Sequence, residues 1–330
     1  MRTLHRGEGF SVAAVLSRSF PKRNGFDSLT SLTLSFAAED HVRLTNDVNA
    51  RRHDSLMRPI EEQTILITGA TSGLGQELAH ALAEQGATLL IHGRGAHRVQ
   101  ETARRIREVT GNDKIQFYRA DLASLLEVHE LARQIITGTS RLDVLVNNAG
   151  VGFGQDASQR ELSQDGYELR FAVNYLAPYL LTERLISLLQ ASTPARIVNV
   201  ASVGQAPLDF DNIMLAHGYS GVTAYRQSKL AMIAWTFDLA ERLAGTGVTA
   251  NALHPASLMP TKMVLEAGWE TMSSVEEGLK ATLRLVMDPG LENVTGAYFD
   301  GLRLARANAQ AYDKQVRQRL AALSQELVSV

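Results

Sequence analysis

The chain contains no cysteine among its 330 residues. This absence excludes disulfide bonds, thiolate metal sites and cysteine nucleophiles, and it predicts a reducing compartment, with the cytoplasm as the expected location. The two signs of charge nearly balance, with 33 basic and 35 acidic residues and a net charge of -2. Because there is no charge excess that would attract nucleic acid or an anionic membrane, neither is an expected partner.

Long apolar segments and metal-ligand motifs are also missing. No apolar run approaches the roughly 20 residues that a membrane-spanning helix needs, so no span is predicted. The nine histidines include no His-Glu-x-x-His or comparable spacing, and no metal site is predicted. What is present, 45% hydrophobic and 21% charged residues, is the balance of a globular protein with a substantial core.

The first 56 residues differ from the rest of the chain. They are rich in serine, contain several arginines and show no sustained period of two or 3.6 residues, so we expect an extension without regular structure. Three interpretations stay open: a dispensable tail or upstream extension of a frame that starts at Met57, an organellar transit peptide, or a small partner-binding segment. We expect its removal to leave folding and activity intact.

From residue 63 onward, short β-branched or leucine-rich runs alternate with amphipathic stretches of helical length. This alternation is typical of βαβ units, and the continuous apolar runs predict parallel strands that are buried on both faces. The seven predicted strands are Thr64 to Ile67, Thr88 to His92, Ile115 to Tyr118, Asp143 to Asn147, Arg196 to Val200, Val248 to Leu253 and Ala297 to Phe299.

Helices are predicted between the strands, and one more follows the last strand. No linker interrupts this part of the chain, so residues 57–330 are expected to form a single domain. The fold class is α/β, with a doubly wound, parallel, seven-stranded sheet of the Rossmann type. The predicted helices lie near 73–85, 97–109, 123–137, 159–190, 222–244, 274–287 and 308–327.

A glycine-rich turn follows the first predicted strand directly. Gly69 permits a tight turn, Gly73 lets backbone amides approach a pyrophosphate, and Gly75 lets the next helix pack closely with its positive end at the phosphates. Because the turn lies between a strand and a helix, it predicts a dinucleotide site.

The spacing Gly-x-x-x-Gly-x-Gly, preceded by Thr68, resembles the cofactor motif of the short-chain dehydrogenase/reductase family. The resemblance covers residues 63–327 and is strongest to members similar to retinol dehydrogenases. It implies a hydride transfer between a nicotinamide dinucleotide and an alcohol or carbonyl. The other motifs that carry it, in the family's order, are Asn147-Asn148-Ala149-Gly150, Asn174, Ser202 and Tyr225 with Lys229.

The second predicted strand is followed by Gly93 and Arg94, and no carboxylate stands there with which an NAD enzyme would bind the ribose hydroxyls. A guanidinium can bind the 2′-phosphate of NADP, so NADP(H) is the preferred cofactor and NAD(H) a possible one. Asp121 resembles the family's adenine-contacting acid and also fits a helix N-cap. The residues expected to bind the cofactor are Thr68, Gly69, Thr71, Ser72, Gly73, Leu74, Gly75, Arg94, Asp121, Leu122, Asn148, Ala149, Gly150, Tyr225, Lys229, Pro255 and Thr261.

Reduction of a ketone needs a proton donor, and the reverse reaction needs a base. Tyr225 is the candidate, and Lys229, one helical turn further on, is expected to lower the pKa of the phenol. The resemblance implies that Lys229 also binds the nicotinamide ribose, that Ser202 holds the substrate oxygen, and that Asn174 keeps a water relay in place behind Lys229.

The segment after the sixth strand resembles the family's substrate lid, with Ala256 in place of the usual glycine. This substitution is expected to constrain the turn. Thr261 is available for the carboxamide, and a lipophilic pocket for a small carbonyl or alcohol is predicted. Its expected lining is Phe153, Phe210, Met259, Met263, Leu265, Trp269 and Met272.

Two other functions fit the same fold. A non-catalytic dinucleotide sensor or scaffold is the first, and an epimerase or dehydratase is the second, although the glycine spacing and the short C-terminal part favour a simple dehydrogenase. The resemblance further implies a homodimer or homotetramer, built by packing helices 159–190 and 222–244 against their symmetry mates.

Overall fold

The computed structural model describes residues 57–329, and the predictions made for residues 1–56 lie outside the described residues. A single sheet of eight strands has the order β3-β2-β1-β4-β5-β6-β7-β8 and is parallel except for the last pair. The strands are β1 (Thr64–Ile67), β2 (Thr88–Gly93), β3 (Ile115–Arg119), β4 (Val144–Asn147), β5 (Ala195–Val200), β6 (Val248–His254), β7 (Tyr298–Asp300) and β8 (Arg303–Ala305).

This order confirms the predicted doubly wound fold and corrects the strand count from seven to eight. The eighth strand, β8, is three residues long, pairs antiparallel with β7 across a turn at Gly301, and carries the largely exposed Leu304. A short edge strand buries little and has no clear apolar pattern, which explains why the sequence did not predict it.

Helices cover both faces of the sheet and leave two layers of apolar core, one on each side. Their bounds agree with the predicted ones within a few residues, except around 159–176 and 308–313, and the short helix at 262–266 was not predicted. The α-helices are α1 (Gly73–Glu84), α2 (Ala96–Thr110), α3 (Leu125–Gly138), α4 (Leu169–Phe171), α5 (Ala177–Ala191), α6 (Gly221–Arg242), α7 (Lys262–Glu266), α8 (Val275–Met287) and α9 (Lys314–Val328).

The prediction of one continuous helix over 159–190 is wrong at its start. Residues 159–168 form turns, including Gly166 with a positive φ of 82°, and the Glu168 carboxylate accepts the Phe171 N–H to begin α4. Between α4 and α5 lies a π-helical segment, Ala172–Leu176. Such wide turns often occur at functional sites, and this one contains Asn174.

The C-terminal helix α9 covers one side of α6. Ser324 of α9 is buried with its hydroxyl 2.6 Å from the Tyr175 hydroxyl, and Arg317 forms a 2.7 Å ion pair with Glu241 of α6. This side of α6 is therefore covered within one chain, and the packing of 222–244 against a symmetry mate stays a prediction. The exposed residues of α6 are polar: Arg226, Glu241 and Arg242.

The carboxyl ends of the parallel strands meet at one edge of the sheet. The order of the strands reverses between β1 and β4, which makes this pair the switch point of the sheet. In open α/β sheets, ligands bind in the crevice at such a switch point. Among residues 57–329, no helix is long and apolar enough to cross a membrane.

Candidate active site

The turn between β1 and α1 has the geometry of a phosphate cradle. Gly69 and Gly73 have φ values of 68° and 54°, which favour glycine strongly. A Cβ on Gly75 would lie 2.4 Å from both Asn148 Nδ2 and Gly69 O. The residues present thus fit a pyrophosphate, because Ser72 makes no capping hydrogen bond to the backbone amides that start α1, and these amides lie at the positive end of a helix.

Thr68 and Asn148 join the glycine turn to the loop after β4. The Thr68 hydroxyl accepts the N–H groups of Asn148 and Ala149 at 3.0 and 3.1 Å, and Asn148 Nδ2 donates to Thr68 O at 2.9 Å. Thr68 is buried. The structure therefore places Thr68 beneath the crevice as a support for both loops, and brings Asn148, Ala149 and Gly150 to the crevice wall.

His92, which the sequence analysis left without a role, connects the turn to the next loop. Its buried ring accepts the Gly69 N–H at Nδ1 (3.4 Å), and its Nε2 lies 3.0 Å from Ala120 O. Burial lowers the pKa of His92 to about 4, so the ring is neutral near pH 7. The sequence could have indicated this role, because His92 lies near the end of the predicted second strand, at the same edge of the sheet as the glycine turn.

Arg94 and Asp121 lie at the ends of β2 and β3. Arg94 is exposed at the end of β2, where its backbone oxygen accepts from Arg119 Nε at 3.2 Å, so two guanidinium-bearing segments meet there. The Asp121 carboxylate accepts the Ala123 N–H within a turn. The prediction that Asp121 caps the next helix is wrong, because Ser124 caps α3 by accepting the Glu127 N–H. Leu122 is buried behind this loop.

Tyr225 and Ser202 meet as predicted. Both side chains lie next to Gly204, where an added Cβ would be 3.3 Å from Ser202 Oγ and 3.8 Å from Tyr225 Cε1. Burial raises the pKa of Tyr225, and a hydrogen bond with Ser202 acts in the opposite direction. Tyr298 on β7 donates to Ser202 O at 3.1 Å and so supports the serine. Sequence reasoning missed Tyr298, which follows Ser202 by 96 residues.

Lys229 lies one turn after Tyr225 on the same side of α6. Its ammonium donates to Val200 O at 2.9 Å and lies 5.7 Å from the centre of the Tyr225 ring. Burial lowers the pKa of Lys229 to about 8, so the group is mostly charged at pH 7. Desolvation is the largest effect on the Tyr225 pKa and raises it, so the lowering expected from Lys229 together with the oxidised nicotinamide stays a prediction.

Asn174 is buried and its side chain is fully used. Its Oδ1 accepts the Val151 N–H at 2.7 Å, and its Nδ2 donates to Val151 O and to Ser228 Oγ. These bonds attach the π-helical segment to the loop after β4. Asn174 therefore positions this loop directly. Its side chain and that of Lys229 both lie next to Gly150, where an added Cβ would be 3.2 Å from Asn174 Oδ1 and 3.6 Å from Lys229 Nζ.

The lid after β6 closes over the glycine turn. Thr261, at the start of α7, lies against Gly73, where an added Cβ would be 3.1 Å from the threonine methyl group. Pro255 is buried, and Ala256 lacks a positive φ. Alanine is tolerated at 256 because its φ is not positive; the residue of this turn with a positive φ is Leu258, at 45°.

Only part of the predicted lipophilic lining faces Tyr225. Phe153 contacts the Tyr225 ring edge-on with ring centres 4.8 Å apart, and Trp269 stacks on Phe153 at 4.9 Å. Met263 lies against Gly152. The others are placed elsewhere: Leu265 and Met272 are exposed, Met259 packs on Gly278, and Phe210 lies under Arg319 of α9.

The site thus combines a glycine-rich turn at a helix N-terminus with a tyrosine, a serine and a buried lysine, an arrangement typical of nucleotide-dependent α/β oxidoreductases. Among residues 57–329 no cluster of three or more histidine, aspartate or glutamate side chains could hold a metal ion. Comparison with known proteins narrows the class. Residues 63–270 match the family model for short chain dehydrogenases.

Similar proteins agree with this match. Retinol dehydrogenase 13 of Mus musculus is 35% identical over 289 residues, which is 82% of this chain and 85% of that protein. An uncharacterized protein from Mycobacterium paratuberculosis aligns with a TM-score of 0.66 and 28% identity, over 82% of this chain and 94% of its own. The Pseudomonas aeruginosa RhlG/NADP complex aligns with a TM-score of 0.61 and 27% identity, over 74% and 97%.

The chain belongs to the short-chain dehydrogenase/reductase family and is similar to retinol dehydrogenases. It is an oxidoreductase of alcohols and carbonyls with a nicotinamide dinucleotide as cofactor.

Proposed function

We propose that this protein is an NADP(H)-dependent oxidoreductase that interconverts a carbonyl and an alcohol on a small, lipophilic substrate. The observation that carries the proposal is the meeting of Tyr225, Ser202 and Lys229 beside the glycine cradle. The Tyr225 and Ser202 side chains share a hydrogen bond, and the Lys229 ammonium lies 5.7 Å from the centre of the Tyr225 ring. These are a proton carrier, a donor for a substrate oxygen and a nearby positive charge.

The cofactor preference rests on charge at the end of β2. Arg94 is exposed there, beside Arg119, and no carboxylate stands in its place. The Arg94 guanidinium would bind a 2′-phosphate, whereas an acid in its place would repel it; the Arg119 guanidinium is already paired with Glu127 at 2.8 Å. The cradle from Gly69 to Gly75, the loop Asn148 to Gly150, and Thr261 would hold the remainder of the dinucleotide.

The bound nicotinamide would supply or accept the hydride. Tyr225 would donate its phenolic proton to the substrate oxygen during reduction and take a proton from the alcohol during oxidation. Ser202 would hold that oxygen through its hydroxyl, and the charge of Lys229 would favour phenolate during the oxidation. Asn174 would keep the loop at Gly150 and Val151 in place.

The substrate proposal follows from the side chains nearest the phenol. Phe153, Met263 and Trp269 form an apolar wall of rings and one flexible thioether at the entrance. Such walls accept apolar molecules and leave orientation to a few polar groups. The similarity to retinol dehydrogenases supports the same substrate class.

Tyr225→Phe tests the proposal. This change keeps the ring against Phe153 and deletes the proton carrier, so turnover should fall by about 10² to 10⁴ while NADPH still binds. Reduced-nicotinamide absorbance follows turnover, and titration follows binding. Tyr312→Phe, which alters a tyrosine that bonds Ala307 N, is the matched control. Near-normal turnover of Tyr225→Phe would contradict the mechanism, and binding without any turnover across a broad panel of carbonyls would favour the sensor.

We further expect a homodimer or homotetramer, which the family resemblance implies, with helices 159–190 and 222–244 packed against their symmetry mates. Sedimentation at several concentrations measures the oligomeric state. The cytoplasmic location stays a prediction from the absence of cysteine.

A further inference from the structure

The loop that carries Phe153 is held by an arginine that the proposed mechanism does not use. Arg170 is 1% exposed, although arginine is almost never fully buried unless it is paired. Its Nε donates to Gly152 O at 3.0 Å, and its Nη2 lies 2.5 Å from Glu161 Oε2. One guanidinium thus connects the backbone of the loop after β4 to the turns before α4.

The rest of the guanidinium is used by two further partners. Nη1 donates to the Tyr219 hydroxyl at 3.0 Å and lies 3.5 Å from the buried Glu168 carboxylate. Tyr219 in turn donates to Glu168 at 3.1 Å. The charge of Arg170 therefore compensates a buried acid, and the fork shape of the group sets the distances among three segments.

The loop is shaped to fit this arginine closely. Gly154 has a φ of 92°, and a Cβ there would lie 2.4 Å from Arg170 Nη2. On the other side, a Cβ on Gly221, the first residue of α6, would lie 2.1 Å from Phe153 O. The backbone of residues 152–154 is consequently clamped between Arg170 and the helix that carries Tyr225.

The clamp determines where the Phe153 ring lies. The ring is in contact with Tyr225 on one side, with an angle of 64° between planes, and it stacks on Trp269 of the lid on the other, with an angle of 20°. Met263 of the lid rests on Gly152. Trp269 and Met263 of the lid therefore both contact residues 152–154, the segment that Arg170 holds.

We propose that Arg170 is a positioning residue, which holds residues 152–154 so that Phe153 docks the lid through Trp269 and sets the width of the substrate entrance above Tyr225. Phe153 is then a specificity residue. The part concerning the substrate rests on the proposed function, whereas the docking of the lid does not.

Trp269 is a reporter of this contact. The chain has two tryptophans, and the other, Trp235, is 2% exposed in the core with an indole nitrogen that has no hydrogen-bond partner among the described residues. Trp235→Phe therefore loses no described hydrogen bond and leaves Trp269 as the only fluorophore of its kind. The emission maximum of Trp269 and its quenching by acrylamide then measure the closure of the lid without any substrate.

In this background, Phe153→Leu removes the stacking ring, and Arg170→Lys keeps the charge beside Glu168 but cannot reach Gly152, Glu161 and Tyr219 at once. Both should move the Trp269 emission to longer wavelength and increase the quenching constant about twofold. Tyr219→Phe, which removes one hydroxyl of the network, should act in the same direction and also serves if Arg170→Lys does not fold. Phe210→Leu, whose ring packs under Arg319, is the matched control and should change neither quantity.

The kinetic readout separates docking from catalysis. With a carbonyl that the wild type reduces, Phe153→Leu and Arg170→Lys should raise KM about threefold to tenfold, the range expected for one aromatic contact, and change kcat little. An unchanged Trp269 signal in Phe153→Leu would overturn the docking contact. A response in Phe153→Leu but none in Arg170→Lys or Tyr219→Phe would overturn the role of Arg170. If no carbonyl is reduced, the proposed function fails, while the Trp269 fluorescence still shows whether Phe153 and Arg170 hold the lid in place.

Discussion

Acid should weaken this fold through one histidine beneath the cofactor cradle. His92 accepts the Gly69 N–H at Nδ1 and faces Ala120 O with Nε2. Both bonds require the neutral ring with its proton on Nε2. A protonated ring would turn a second N–H toward Gly69 and place a charge in the core. Burial therefore lowers the pKa of His92 from 6.5 to about 4, against the bond to Ala120 O and the charge of Asp121, which both raise it.

The lowered pKa of His92 makes the free energy of unfolding depend on pH. The unfolded chain takes up a proton at His92 below pH 6.5, and the folded chain does so only near pH 4, so the stability due to the neutral ring is fully present above pH 6.5 and falls as the pH falls toward 4. At 1.36 kcal/mol per pH unit, the loss at pH 5 is about 2 kcal/mol. This is a large part of the typical stability of a domain.

The measurement compares wild type with His92→Gln, whose amide can still donate to Ala120 O but does not titrate. Urea unfolding followed by circular dichroism at pH 7.5 and pH 5 gives the free energy of unfolding of each protein. His254, whose pKa burial also lowers, is present in both proteins and cancels. The wild type should be the more stable at pH 7.5, and its advantage should shrink by about 2 kcal/mol at pH 5. An advantage that is the same at both pH values would refute the reasoning.

Three further outcomes are expected. Arg94→Asp should reverse the preference from NADP to NAD, because losing a charge-assisted phosphate contact weakens binding by about 1.5 to 3 kcal/mol; titration with both dinucleotides checks this, and equal use of them by the wild type would contradict it. Lys229→Met should weaken cofactor binding and move the activity optimum to higher pH, and a pH profile identical to that of the wild type would exclude the role of the charge. Gly75→Ala should abolish dinucleotide binding measured by titration, since its Cβ would overlap Asn148 Nδ2 and Gly69 O; unchanged affinity would contradict the geometry of the cradle.

The sequence by itself determined the features that depend on neighbouring residues. The strands from β1 to β6 follow from continuous apolar runs, and the turn from Gly69 to Gly75 follows from three glycines between a strand and a helix. Tyr225 and Lys229 lie on one side of α6 because four residues make about one helical turn. These patterns need no knowledge of the rest of the chain.

Only the tertiary structure decided which residues support the site. His92 is neutral because β3 and the glycine turn bury it, Thr261 reaches Gly73 across 188 residues of sequence, and Arg170 is buried by four segments that the fold brings together. The same holds for the wide turn at Asn174, which interrupts a stretch predicted as one helix. Burial, desolvation and hydrogen-bond partners are properties of contacts between distant segments, and a pattern along the chain carries no information about which distant segments will meet.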